Sequence, residues 1–333
     1  MSVTSADTVH PGGAQLITYA DRLAGDIPGL RRLLDEQLDG VFAGVHVLPF
    51  FVPIDGADAG FDPIDHSTVD PRIGTWDDIA ALAADHDVMA DLIVNHVSAE
   101  SEPFLDWLAN GDDSAYADMF LTPERVFGHE PRADELAAIH RPRPTSPFTE
   151  FTFADGRRRM VWTTFTDRQV DIDVEHELGW NHLLGILDRF RAGGVTIVRL
   201  DAVGYAIKRA GTSCFMLPET FDFIDRLTAA CHERDMRVLV EVHGHYRDQV
   251  ALATRVDLVY DFALPPLVLD ALYRGDATAL KQWIAVRATN AVTVLDTHDG
   301  IGIVDVGGDP RDPRRSGLLT PEQIHDLVET IHD

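Results

Sequence analysis

The chain has 333 residues, of which 45% are hydrophobic and 25% charged, the balance of a globular protein with a large core and not of a disordered or fibrous one. Its formal net charge of -27 sets it against polyanions, so nucleic acid and anionic membrane surfaces are excluded as partners. Lys208 and Lys281 are the only lysines; arginine supplies the other cations.

In chain order, the start from Met1 to Pro11 is polar, with neither a basic end nor an apolar core, and no later run is long enough to span a bilayer. This points to a cytoplasmic protein. Two cysteines, Cys214 and Cys231, are too few for a disulfide framework and read as small buried hydrophobes. Short apolar runs alternate with longer amphipathic ones, the pattern of repeated βα units on a parallel sheet. Seven runs read as strands: Ala14–Tyr19, Val41–Leu48, Val88–Val94, Val195–Leu200, Arg237–Val242, Leu258–Ala263 and Ala291–Leu295. Between them, Leu30–Leu38 reads as a helix started by Asp26 and Pro28, and Ile79–Ala84 as one preceded by the capping-box spacing of Thr75 to Asp78.

The connection from about Val97 to Gly194 is far too long for a βα loop and predicts an inserted subdomain. Its prolines and arginines (His140-Arg141-Pro142-Arg143-Pro144) and its aromatics at Phe148, Phe151, Trp162 and Phe165 suggest an irregular, aromatic-packed lid ending near Gln169–Asp173. Three carboxylates stand at predicted strand ends: Asp201 in Val198-Arg199-Leu200-Asp201, then Glu241, then Asp299 after His298. In a barrel of parallel strands every carboxyl end opens on one face, so residues distant in sequence converge there. A retaining glycosidase needs one carboxylate as nucleophile and one carboxylic acid as proton donor, about 5 Å apart. A single strand-end acid is more often solvated or paired at a rim; three together point to glycoside chemistry.

These motifs carry a resemblance. The stretches Gln15–Arg22, Gly56–His66, Ile93–His96, Arg199–Tyr205, Ala210–Met216, Tyr260–Pro266 and Thr293–Gly300 resemble the sucrose phosphorylase group of the α-amylase superfamily, and the match runs nearly end to end. The strand-end motifs indicate the superfamily; Gly56–His66 and Ala210–Met216 are more specific to the group. The resemblance implies a (β/α)8 TIM-type barrel with an inserted subdomain after strand three, a second insertion after strand seven and a C-terminal β-domain. On that template residues 1–97 are the first part of the barrel, 98–180 the lid, 181–300 strands four to seven, and 301–333 the start of the second insertion. The expectation is a chain truncated before the eighth strand and the β-domain, with unpaired strand edges.

The resemblance further implies that Asp201 attacks the glucosyl anomeric carbon while protonated Glu241 donates to the leaving oxygen, and that phosphate then displaces the enzyme. Arg199 is expected to keep Asp201 ionised. Asp299 fits the third acid, with His298 and His96 donating to sugar hydroxyls. Asp58 and Phe61 resemble the glucose-side acid and apolar platform. Arg143 and Tyr205 are the candidates for phosphate, since guanidinium geometry suits it. Arg141 alternates with the same prolines and reads more readily as part of an exposed stiff loop. The group carries tyrosine where this chain has His140, a departure that leaves fructose 6-phosphate open beside fructose as the acceptor. The substrates implied are sucrose or a phosphorylated sucrose and inorganic phosphate, and a homodimer is compatible. A phosphate-independent α-glucoside hydrolase and an inactive fragment are the other readings. No cofactor is expected. No metal is expected either, because Asn95 stands where calcium-dependent amylases supply a ligand but lacks an oxygen-rich cluster around it.

Overall fold

The computed structural model describes residues 13–294, 300–309 and 312–332. The chain divides into two compact units, Met1–Arg237 and Val238–Asp333.

In the first unit four parallel strands run in the order Gln15–Thr18, Gly44–Val47, Asp87–Ile93, Ile197–Asp201, with Gln15 opposite Gly44, Val45 opposite Val88, and Arg199 opposite Asp91. The runs of Val, Ile and Leu in the last three are buried on both faces, as parallel strands flanked by helices are, while Gln15–Thr18 is half-buried. The helix Ile27–Glu36 starts where Asp26 accepts from Gly29 N at 2.6 Å with Pro28 in its first turn. Thr75 and Asp78 form a reciprocal capping box at the start of Trp76–Ala83. The strand predicted from Val41 begins only at Gly44, because Val41 lies in a turn and is 54% exposed.

The long connection is more regular than the lid expected from its prolines. It folds into the helices Glu102–Asn110, Pro123–Phe127 and Ala133–Ala138, the hairpin Phe148–Thr152 with Arg158–Trp162, and an antiparallel pair, His96–Ser98 with Gln169–Asp171. The physical reason is its aromatic content. Phe104, Trp107, Phe120, Phe151 and Phe153 pack with ring centroids 4.8–5.8 Å apart and give the insertion a core of its own.

The second unit takes in three parallel strands, Arg237–Val240 from its second residue on, Leu258–Asp261 and Ala291–Thr293, with Leu239 opposite Leu258 and Val259 opposite Ala291. Trp283 and Arg287 donate to the two oxygens of buried Asp261 at 2.8 and 2.9 Å, tying the helix Thr278–Val286 to a strand end. Its core is Ala263, Leu267, Trp283, Val306, Leu319 and Leu327. Both cysteines are buried and form no disulfide. Among the described residues, no helix is long and apolar enough to cross a membrane.

Candidate active site

The strand Ile197–Asp201 ends on Asp201, and the two-residue period of a strand puts Arg199 on the same face. Arg199 Nη1 donates to Asp201 Oδ1 at 3.0 Å and to Asp91 Oδ1 at 2.6 Å. Asp91 stands directly opposite Arg199 in the ladder, and its second oxygen meets His46 Nε2 at 3.0 Å. His46, Asp91 and Arg199 are all buried. Burial alone would raise the Asp91 carboxyl, but the facing His46 and Arg199 outweigh it and hold the group well below the usual carboxylate range. Asp201 is thus oriented by a guanidinium that is itself gripped from behind. Immediately after it, Ala202 turns the chain out of the strand at φ 55°, a left-handed conformation that costs a non-glycine residue about 1 kcal/mol.

The loop after the second strand is drawn in by Asp62, which accepts from Ala57 N at 2.9 Å and Asp58 N at 3.2 Å. A Cβ at Gly56 would come within 2.3 Å of Asp62 Oδ1, so this close approach requires glycine. The loop delivers Phe61 onto Leu48 and Ile93, with the Arg199 guanidinium 5.6 Å from its ring. His96 is buried and its Nε2 lies 3.0 Å from Phe61 O. Burial lowers its pKa against the opposing pull of Asp171 and the Phe61 carbonyl, favouring a neutral imidazole. Gln169 Nε2 lies 2.9 Å from Asp58 Oδ2 and 3.1 Å from His96 Nε2, and Arg143 reaches Asp58 Oδ1 at 3.6 Å. Tyr205 packs on Phe165, Phe215 and the ring of His140. Arg141 is spent locally on Thr145 O at 2.6 Å.

Asn95 Oδ1 accepts from Lys208 Nζ at 2.8 Å, and the same ammonium meets Asp171 Oδ2 at 2.8 Å and the Tyr205 carbonyl. The cation that Asn95 faces is therefore a side chain. Among the described residues, no group of three or more His, Cys, Asp or Glu side chains is arranged to hold a metal ion.

In the second unit Glu241 follows the strand Arg237–Val240, with His243 Nε2 3.9 Å from its Oε1. His298 and Asp299 lie outside the described residues. The first unit therefore joins seven of the expected residues in one contact network: Asp201, Arg199, Phe61, His96, Asp58, Arg143 and Tyr205. An oriented carboxylate beside an apolar platform and a histidine–carboxamide–carboxylate chain can attack an electrophilic carbon and accept sugar hydroxyls. Sequence reasoning missed His46, Asp91 and Gln169. The signal for the first two was present, since a histidine inside Val45-His46-Val47 and an aspartate inside Met89-Ala90-Asp91-Leu92 must find partners in a buried sheet.

The α-amylase catalytic-domain model matches residues 7–219, and the chain belongs to that family. Within it, the chain is 56% identical to a sucrose phosphorylase of Agrobacterium vitis and 53% identical to one of Bifidobacterium adolescentis, in each case over 96% of its own length. It spans 65% and 63% of those relatives, a little under two thirds. Among solved structures it is similar to a sucrose 6F-phosphate phosphorylase from Thermoanaerobacter thermosaccharolyticum, with a TM-score of 0.88 and 38% identity, covering 95% of this chain and 64% of that one. The fold is of the α-amylase type.

Proposed function

We propose that the protein is a retaining glycoside phosphorylase that transfers the glucosyl unit of sucrose to inorganic phosphate, giving α-D-glucose 1-phosphate and D-fructose. The observation that carries this reading is the oriented Asp201 at the strand end in a chain more than half identical to sucrose phosphorylases. An Asp201 oxygen attacks the anomeric carbon as the bond to the fructosyl oxygen breaks, and Glu241 gives that oxygen its proton. The product is a β-linked glucosyl ester of Asp201. A phosphate oxygen then attacks the same carbon, the ester bond returns its electrons to Asp201, and Glu241 takes the proton of the incoming acid. Two inversions leave the α configuration.

In this reading Asp299 stabilises the positive charge of the transition state, and His96, His298 and Asp58 receive glucose hydroxyls beside the Phe61 ring. Residues 98–180 form the lid, from which Arg143 meets phosphate together with Tyr205. Phosphate and the polar substrates suit a cytoplasmic site of action, and a homodimer is compatible with the reading.

A second acceptor is favoured by one feature. His140 lies against Tyr205 and Phe215, with two arginines following it within three residues, a setting that would suit the phosphate of fructose 6-phosphate. The test is to incubate the purified protein with inorganic phosphate and either sucrose or sucrose 6'-phosphate and to quantify glucose 1-phosphate. Product from sucrose supports the first reading; product only from the phosphorylated sugar moves the assignment to the second. Glucose release at a rate independent of phosphate would make the protein a hydrolase.

A further inference from the structure

Glu241 has a neighbour that the proposed reaction leaves without a role. His243, two residues on, stacks on Phe262 with ring centroids 4.0 Å apart and an interplanar angle of 20°, which fixes the plane of its imidazole. Its Nε2 faces Glu241 Oε1 at 3.9 Å, and its Nδ1 lies 3.0 Å from Asp305 Oδ2. Asp305 is fully buried in the short turn Val304–Val306. Its other oxygen accepts from Gly244 N at 3.1 Å and from Gln249 Nε2 at 2.5 Å. Chain is folded tightly over this bond: a Cβ at Gly302 would stand 3.0 Å from Asp305 Oδ2 and 3.3 Å from His243 Nδ1.

We infer that Asp305 is a positioning residue for the acid step, acting on Glu241 through His243. The inference rests on the reading of Glu241 as proton donor. A carboxylate surrounded by donors only accepts, so the hydrogen of a neutral imidazole belongs on Nδ1 and its Nε2 is left bare toward Glu241. Across 3.9 Å the lone pair of that nitrogen favours a protonated Glu241, and as imidazolium it would favour the carboxylate left after proton transfer. The tautomer of His243 thereby sets the field that Glu241 feels before and after it gives its proton to the leaving oxygen. The same carboxylate also pins Gly244 and Gln249, so a purely structural role must be separable in the test.

Asp305→Asn separates them. Gly244 N and Gln249 Nε2 hold the amide oxygen where Oδ1 was, which turns the amide NH2 toward Nδ1 and forces the hydrogen onto Nε2, against Glu241. With saturating phosphate, turnover of sucrose should fall about thirty-fold or more at little changed KM, as loss of acid catalysis does. Turnover of α-glucosyl fluoride, whose leaving group needs little protonation, should lose at least ten-fold less. Equal losses on both donors, or no loss on sucrose, would overturn the inference. Nitrogen-15 spectra of the resting protein, with the His243 signals assigned from His243→Gln, give a readout that needs no turnover. Hydrogen on Nδ1 in the parent and on Nε2 in Asp305→Asn supports the inference, and hydrogen on Nε2 in the parent refutes it. Failure of the parent to make glucose 1-phosphate would sink the phosphorylase reading while the tautomer still decides the role of Asp305.

Discussion

The two carboxylates proposed for the chemistry are supported by opposite means. Asp201 is backed by the sheet itself: Arg199 on its own strand, Asp91 on the next and His46 on the one beyond, joined side chain to side chain inside the core. Glu241 is backed from a loop, where His243 leans on Asp305 some sixty residues further along. A nucleophile must stay in one place and one charge state, and a buried ion network on strands provides that rigidity. A group that gives a proton and takes one back needs a partner that can change state, and histidine is the side chain that does so near neutral pH.

The largest expected effect is at Asp201. Asp201→Asn should abolish turnover while leaving the fold; retention of even a tenth of the activity, a barrier change of only about 1.4 kcal/mol, would contradict a nucleophile there. Glu241→Gln should lose sucrose turnover by about 10²–10⁴-fold and recover with α-glucosyl fluoride, since a good leaving group bypasses the missing acid. No recovery would break the assignment of the two roles.

The supports should fail differently. Asp91→Ala leaves Arg199 and His46 without their shared anion in the core, and removing one partner of a buried ion pair costs about 3–5 kcal/mol. Urea unfolding should show that loss whichever donor is assayed. Asp305→Asn keeps an oxygen for its two fixed donors, so its stability loss should be the smaller and its effect specific to the poor leaving group. Equal stability losses would erase the distinction between a core support and a loop support.

Much of this was legible in the sequence for identifiable reasons. The parallel strands announce themselves as β-branched runs, and Asp201 and Glu241 stand where those runs stop, which is why the strand-end acids could be named. Asp58 and Phe61 came from motif likeness, and it is the Gly56 contact with Asp62 that makes their loop physically intelligible; Arg143 came from the need for a guanidinium to meet phosphate. Gln169 was passed over because its partners Asp58 and His96 lie more than seventy residues away, and its register opposite Ser98 is set by a strand pairing that no local pattern encodes. His243 and Asp305 escaped for the same reason, their pairing being made by two loops. The insertion was read as irregular because prolines and arginines dominate 140–144, whereas the aromatic cluster that orders it is spread over some fifty residues.

The remaining test concerns protons and the core of the first unit. Burial pushes His66 and His182 down from 6.5 to about 4, with the Asp91 carbonyl and Asp65 respectively pulling the other way. In the unfolded chain both would titrate near 6.5. Their folded pKa values are depressed, so the stability they permit is complete above about 6.5 and is lost progressively as pH falls toward 4, where the unfolded chain binds up to two more protons than the folded one. The unfolding free energy should therefore fall with pH between those limits, by up to roughly 3 kcal/mol per pH unit. His182→Leu removes one of the two groups, at a position whose Nε2 has no hydrogen-bond partner among the described residues, and should halve that slope. Urea denaturation from pH 7.5 to 4.5 measures it. A flat profile would mean that both imidazoles take up protons inside the fold, and the core beneath Asp201 would then be less rigid than its ion network implies.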